Sequence, residues 1–337
     1  MSRCLQLAKL GAGNVAPNPM VGSVLVYEDK IIGEGFHEKY GEAHAEVNCI
    51  NSVSDENKSF VEKSAMYVSL EPCSHFGKTP PCSNLIIKEK IKKVVIGCRD
   101  IFEKVDGKGI ERLRNAGVEV VTGVLENESK DLNKRFFTFH RQKRPYIILK
   151  WAQSANGKIG YDNERVFISN NYSNRLVHKW RSEEAAILVG KNTVLKDDPV
   201  LTTRLWRGKN PLRIVIDPKL ELPASSKVFN EEAKTIIYNL LKNASEGNLQ
   251  YIQLEQEDFL QRLLSSLYEN DIQSVLIEGG PKTLQVFIDQ NLWDEARVIS
   301  NSEMVIEEGI NAPEMKNFEL VREENYFSDR INYFRRK

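Results

Sequence analysis

Two α/β domains are predicted, on three observations. Apolar strand-like runs and helix-like runs alternate along the chain, the pattern of a sheet with parallel character. That pattern breaks at HRQKRP (140–145), a basic, polar run with a proline, and restarts at PYIILKWA. The length, 337 residues, allows two domains at roughly 100–200 residues each, so each half can fill its own core. The boundary is placed near residue 143, giving domains of 1–143 and 144–337.

Taken in order, residues 1–11 read as a helix with Leu5 and Ala8 on one face. VGSVLVYEDKIIGEG (21–35) is a hairpin, two apolar runs around Glu28-Asp29-Lys30. A helix is expected over 43–52, beginning near Ala43, and SAMYVSLEP (64–72) is a strand stopped by proline. Ser83 is placed as the N-cap of a helix over 84–91, followed by the strand KVVIGC (93–98). GIERLRNAGVEVVTGV gives a helix, a glycine C-cap and a strand. In the second half PYIILKWA, AAILVG, PLRIVID, KTIIYN and SVLIEGG read as strands. Residues 173–183, 257–269 and KTLQVFIDQ read as helices, and no internal repeat is evident.

Composition narrows the functional classes. Apolar residues make up 41% and charged residues 28%, an ordinary globular balance. Lys+Arg and Asp+Glu are 47 each, without the basic surplus of a nucleic-acid binder. No run approaches the ~18–20 apolar residues of a membrane span, and the start, MSRCLQLAKLGAG, is too polar for a signal peptide. Five cysteines, at 4, 49, 73, 82 and 98, make a poor disulfide framework and fit a reducing cytosol with metal-binding or catalytic thiols. A cytoplasmic protein with a small-molecule partner, and neither nucleic acid nor membrane, is expected.

The chemistry-bearing residues cluster in the first half. His44-Ala45-Glu46 opens a predicted helix, Glu71-Pro72-Cys73 ends a predicted strand, and Cys82 follows nine residues on. One imidazole and two thiolates are three protein ligands, the open form of a catalytic zinc site. Zinc lowers the pKa of a bound water to about 7, and Glu46, two residues beyond His44, is placed to move protons there without ligating. H-x-E followed by P-C-x-x-C marks the zinc nucleobase deaminases; here eight residues, not two, separate the cysteines. A lone His-x-Glu on a solvated helix means nothing; the three features in this order carry the argument. His75 is a possible fourth ligand, but its polar loop suits substrate contact better. Cys49 and Cys98 read as small core residues.

The runs AxNPMVGSVLV, GFHEKYGEAHAEVN and YVSLEPCSHFGKTPPCSNLII resemble the deaminase domain of the bifunctional riboflavin-biosynthesis deaminase–reductases. The resemblance implies an N-terminal cytidine-deaminase-like α/β/α sandwich acting on 2,5-diamino-6-(5-phospho-ribosylamino)pyrimidin-4-one, a phosphorylated pyrimidine, releasing ammonia. It implies zinc on His44, Cys73 and Cys82, with Glu46 shuttling protons. It implies ring or ribose contact from Asn18, and polar or phosphate contacts from His37, His75 and Lys78. Lys78 suits a phosphate by charge alone, and a surface lysine is the bland alternative.

The second half lacks a GxGxxG after a strand, so a standard dinucleotide fingerprint is unsupported. LKWAQSANGKIG, ILVGKNTVLKDDPVLTTR, LRIVID and LIEGG each read alone as turns or caps. Together and in this order they resemble the reductase domain of the same family. That implies a dihydrofolate-reductase-like α/β domain using NADPH to reduce the ribosylamine to a ribitylamine. By position, Ala152, Phe167, Thr193, Asp197 (read as part of a polar loop with Asp198 and Arg204) and Gly280 would line NADPH. Arg181, Leu201, Arg204 and Glu278 would meet the phosphorylated substrate. The chain departs from the family at Arg165-Val166-Phe167, where relatives carry Ser-x-Trp, at Ser-Ala-Asn-Gly (154–157), and at Pro218 in place of serine. RVISNSEMVIEEGINAPE is also more polar than the apolar closing strand expected there. The rival within enzymes is a zinc deaminase of another base with a non-catalytic second half. Self-association into a homo-oligomer is expected.

Overall fold

In a computed structural model that describes residues 1–76, 80–102, 105–162 and 164–337, the alternating runs become two sheets. The chain divides into unit 1, Met1–Lys143, and unit 2, Arg144–Lys337.

Unit 1 begins with α1 (Ser2–Ala8), which tightens into a 3-10 turn, and the hairpin β1 (Gly22–Tyr27) and β2 (Lys30–Phe36). Glu28 and Asp29 take φ of 46° and 62°, the two left-handed residues of a tight hairpin turn, so Lys30 belongs to the strand. Next come α2 (Ala45–Asn51), β3 (Ala65–Leu70), α3 (Cys82–Lys88), β4 (Lys93–Cys98), α4 (Lys108–Asn115), β5 (Glu119–Thr122), α5 (Glu126–Leu132) and α6 (Lys134–Gln142). The sheet order is β2-β1-β3-β4-β5, antiparallel at the hairpin and parallel from β3 to β5. Leu25, Met66, Val68, Ile86, Ile96 and Leu113 form its core.

Unit 2 comprises β6 (Tyr146–Ser154), α7 (Asn171–Glu183), β7 (Ala186–Gly190), α8 (Lys191–Asp197), β8 (Leu212–Ile216), β9 (Thr235–Asn239), β10 (Ala244–Glu246) and β11 (Leu249–Gln253). Then follow α9 (Phe259–Glu269), β12 (Ser274–Ile277), α10 (Pro281–Asp289), β13 (Glu295–Asn301), β14 (Phe318–Tyr326) and β15 (Asp329–Arg336). The sheet runs β10-β11-β9-β8-β7-β12-β6-β13-β15-β14 and is parallel from β11 to β13. The chain leaves β6 toward β7 on one side and later reaches β13 on the other. The carboxyl ends of β6, β12 and β7 therefore surround a topological switch point, where open α/β sheets bind ligands.

Four expectations are corrected. α3 starts at Cys82 with Pro81 at its N-cap, and the Ser83 hydroxyl donates to the Cys73 carbonyl instead of capping. The polar run at 140–145 is not a loop throughout, because α6 continues through Gln142; its consecutive phenylalanines hide the helical period. Asp197 ends α8 and is not in a loop. The closing strand β13 does form. Its polar Arg297 donates to Glu295 at 2.7 Å and lies 3.5 Å from Glu184, so the charges enter the sheet already paired.

Candidate active sites

In unit 1, α2 and the end of β3 bring the predicted ligands together. His44 is the N-cap of α2, Cys73 follows β3, and Cys82 opens α3. The Nδ1 of His44 lies 3.6 Å from Cys73 Sγ and 3.3 Å from Cys82 Sγ. A tetrahedral zinc with its usual bond lengths holds nitrogen and sulfur roughly 3.5 Å apart, so this donor set fits the ion in chemistry and in spacing. The Cys82 backbone N–H donates to Cys73 Sγ at 3.3 Å. The Cys82 thiol's hydrogen bond, with help from His44, holds Cys73 down at about 4, and the same bond together with burial pushes Cys82 up. Cys73 is thus poised as a thiolate, the form that binds metal.

Glu46 is 3% exposed, in the first turn of α2 beside this cluster. Burial, reinforced by the Cys73 charge, pushes its carboxyl up to about 7, the range suited to a group that both takes and gives a proton. His37 is also buried, and burial lowers its pKa. Its Nδ1 lies 3.0 Å from the Ala43 carbonyl and its Nε2 lies 3.1 Å from Asn18 Nδ2. With Nδ1 donating and Nε2 accepting, the Asn18 amide is oriented. Both nitrogens of the His37 ring are thus engaged within the fold. His75 packs edge-on against Phe102 at 6.1 Å and keeps a buried Nδ1 with no partner among the described residues, suiting substrate contact. Lys78 lies outside the described residues.

Glu71 escaped the sequence reading. Its buried carboxylate accepts four backbone N–H bonds: Asp100 at 3.2 Å, Gly107 at 3.1 Å, Gly109 at 2.9 Å and Ile110 at 3.2 Å. A Cβ at Gly109 would stand 2.0 Å from the Pro72 carbonyl, so only glycine allows α4 this close to the ligand-bearing turn. The donors sit some 30 residues along the chain, beyond any local motif.

In unit 2 the charged cluster lies on the α7 face of the sheet. Arg181 grips both oxygens of Glu278, at 2.8 and 2.8 Å, and Lys150 Nζ is 3.8 Å from the same carboxylate. Burial alone would push Glu278 up, but Arg181 and Lys150 outweigh it and hold the carboxylate at about 2. Burial lowers Lys150 against the pull of Glu278. Burial, with Arg181 and Arg204 near, takes His178 down to about 4, and its Nδ1 accepts the Arg204 backbone N–H at 3.0 Å. Lys150 was not anticipated; the available signal was a lysine inside the apolar run YIILKWA.

Across the switch point, the Gly280 N–H donates to Thr193 Oγ1 at 2.7 Å. A Cβ at Gly190 would come within 2.5 Å of Thr283 Oγ1. This cradle at the start of α10 fits the close backbone approach a pyrophosphate needs. Residues 145–305 match the RibD C-terminal domain family, and residues 1–98 match the cytidine and deoxycytidylate deaminase zinc-binding region. The chain is 43% identical over 319 residues to the riboflavin biosynthesis protein RibD of Aquifex aeolicus (strain VF5), covering 92% of this chain and 88% of that protein. The chain belongs to the RibD family.

The RibD of Escherichia coli (strain K12) is 33% identical over 323 residues, with 88% of this chain and 84% of that protein covered. A crystal structure of a diaminohydroxyphosphoribosylaminopyrimidine deaminase/5-amino-6-(5-phosphoribosylamino)uracil reductase from Thermotoga maritima matches with TM-score 0.92 at 37% identity, over 100% of this chain and 97% of that one. Both RibD parts, a cytidine-deaminase-like zinc-binding domain and a reductase domain, are therefore present. Within the reductase part, Ala152 is half-buried on β6 and Asp197 accepts the Arg165 guanidinium at its carbonyl at 3.3 Å. Phe167 is 72% exposed, with Arg165 stacked 4.7 Å over its ring. Leu201 packs into a core with Ile187, Val189 and Val194.

Proposed function

We infer that unit 1 deaminates 2,5-diamino-6-(5-phospho-ribosylamino)pyrimidin-4-one and that unit 2 reduces the ribosyl group of the product to ribityl, two consecutive steps of riboflavin biosynthesis. Deamination and reduction follow from family membership; the substrate and the roles below are our reading. The observation that carries it is the buried Glu46 beside a His44–Cys73–Cys82 donor set spaced for zinc.

His44, Cys73 and Cys82 would hold the zinc, which when bound supplies Lewis-acid activation of water near neutral pH. Glu46 accepts the water's proton and delivers it to the departing amine. Asn18, fixed by His37, presents its carbonyl oxygen to the pyrimidine, and the unpartnered His75 Nδ1 meets the substrate.

In unit 2, Thr193, Gly280 and the start of α10 would seat NADPH, with Ala152, Asp197 and the exposed Phe167 along it; bound NADPH supplies a hydride. Arg204 takes the substrate phosphate. Lys150, its affinity for a proton reduced by burial, donates the proton that accompanies reduction, and the Arg181–Glu278 pair holds it in place. Self-association is supported by the unpaired edge of β14, where Leu320 and Val321 are exposed. The unpaired cysteines support a cytoplasmic setting.

Metal removal tests the assignment. Chelation should abolish ammonia release while NADPH oxidation on already deaminated substrate continues. Full ammonia release from metal-free protein would contradict it.

A further inference from the structure

Asn133 sits at the junction of α5 and α6, as the N-cap of α6, and is 2% exposed. Asparagine is a favoured N-cap because its side-chain oxygen can accept a backbone N–H of the first turn. Here the side chain makes no such bond. It reaches instead to Met20, 113 residues away in sequence: Oδ1 accepts the Met20 N–H at 2.8 Å, and Nδ2 donates to the Met20 carbonyl at 2.9 Å. One amide thus satisfies both backbone groups of a single residue, the exchange a paired strand would make. α6 forgoes a stabilising cap for this contact.

Met20 ends the run Pro17-Asn18-Pro19-Met20. Each proline fixes its own φ and restricts the residue before it. Asn18, between two prolines, has little backbone freedom, so a shift at Met20 is passed on to Asn18 instead of being absorbed. From Asn18 the contacts run toward the metal donors. Asn18 Nδ2 lies 3.1 Å from His37 Nε2, and His37 Nδ1 lies 3.0 Å from the carbonyl of Ala43, the residue before His44. The His37 backbone N–H donates to the carbonyl of Val21, next to Met20, at 2.9 Å. The segment that Asn133 grips therefore carries Asn18 on one side and anchors His37 on the other.

We propose that Asn133 is a positioning residue of the deaminase: by holding both backbone groups of Met20 it sets the place of the Asn18 amide, and through it the orientation of the pyrimidine. This assignment rests on Asn18 contacting the substrate.

The test uses the full zinc-loaded chain as N18A, N133A and N18A/N133A. N133D joins them, alone and with N18A; it keeps an acceptor for the Met20 N–H but sets a carboxylate oxygen against the Met20 carbonyl. Ammonia release, zinc content and NADPH oxidation on already deaminated substrate are measured. Misplacing a substrate-orienting group by about 1 Å can cost on the order of 10²-fold in rate. N133A should therefore lower kcat/KM for ammonia release roughly 10–100-fold, with zinc retained and NADPH oxidation unchanged. Residues that act through one another are not additive, so N18A/N133A should stay within about twofold of the poorer single variant. N133D should also be impaired, and it carries the same comparison where N133A does not fold. Additive losses would overturn the proposal, since Asn133 would then act independently of Asn18. Loss of zinc in step with activity would also overturn it, because the effect would run through the metal donors. Wild-type kcat/KM in the folded Asn133 variants, with a loss in N18A, would overturn the proposal and leave the Asn18 reading standing. Wild-type kcat/KM in N18A would instead overturn that reading, and this route with it.

Discussion

Glu46 and Glu71 show how far residue-level reasoning reaches. Glu46 was legible because a ligating histidine and a nearby acid lie two positions apart in one motif. Replacing it by glutamine keeps the shape and hydrogen bonding of the side chain but removes its proton affinity. E46Q should retain zinc while ammonia release falls by roughly 10²–10⁴-fold, and metal analysis beside a rate assay checks both halves. Glu71, two residues before a ligand, was invisible as a functional group because its four donors come from a distant segment. In E71Q an amide NH2 would face backbone N–H groups that had accepting partners. Unit 1 should lose about 2–3 kcal/mol, read as an earlier unfolding transition, whereas a melting curve identical to wild type would show that the carboxylate is dispensable.

At the scale of elements, strands were easier to read than helices. β1 to β4 and β6 to β9 announce themselves as bounded apolar runs, but α6 does not, since its buried Phe136, Phe137 and Phe139 are nearly consecutive. β13 was obscured by charges whose partners, Glu295 on the same strand and Glu184 after α7, only the fold supplies. Lys150 was passed over for the same reason: its meaning depends on Glu278, which the parallel pairing of β12 with β6 brings alongside. That pairing has a consequence for acid stability. Glu278 titrates at about 2 in the fold against an ordinary 4.5, so its stabilising effect is present above about 4.5 and is lost as pH falls toward 2. The difference amounts to on the order of 3 kcal/mol at neutral pH. Burial of neutral His178 acts in the same direction, its contribution fading as pH falls from 6.5 toward about 4. Unit 2 should therefore unfold more readily in acid, and E278Q, though less stable at neutral pH, should show a flatter dependence between pH 4.5 and 2. An unaltered slope in E278Q would remove Glu278 as the cause.

The whole molecule joins two sheets of different design in one chain, each with its own core and its own cluster of functional residues. The zero net charge proved to be an average over strongly uneven local placement, with a thiolate–imidazole cluster in unit 1 and clustered arginines in unit 2. Of the five cysteines, two serve the metal donor set, while Cys4, Cys49 and Cys98 are buried, with burial raising each thiol well above its ordinary value. Two consecutive reactions on one phosphorylated pyrimidine explain why a deaminase domain and a reductase domain share a chain. The most direct test supplies the diaminopyrimidinone ribotide and NADPH to the zinc-loaded protein and counts both products. One ammonia released and one NADPH oxidised per substrate, with ammonia release persisting when NADPH is withheld, is the predicted result; ammonia release with no NADPH oxidation, or NADPH oxidation with no ammonia, would contradict it.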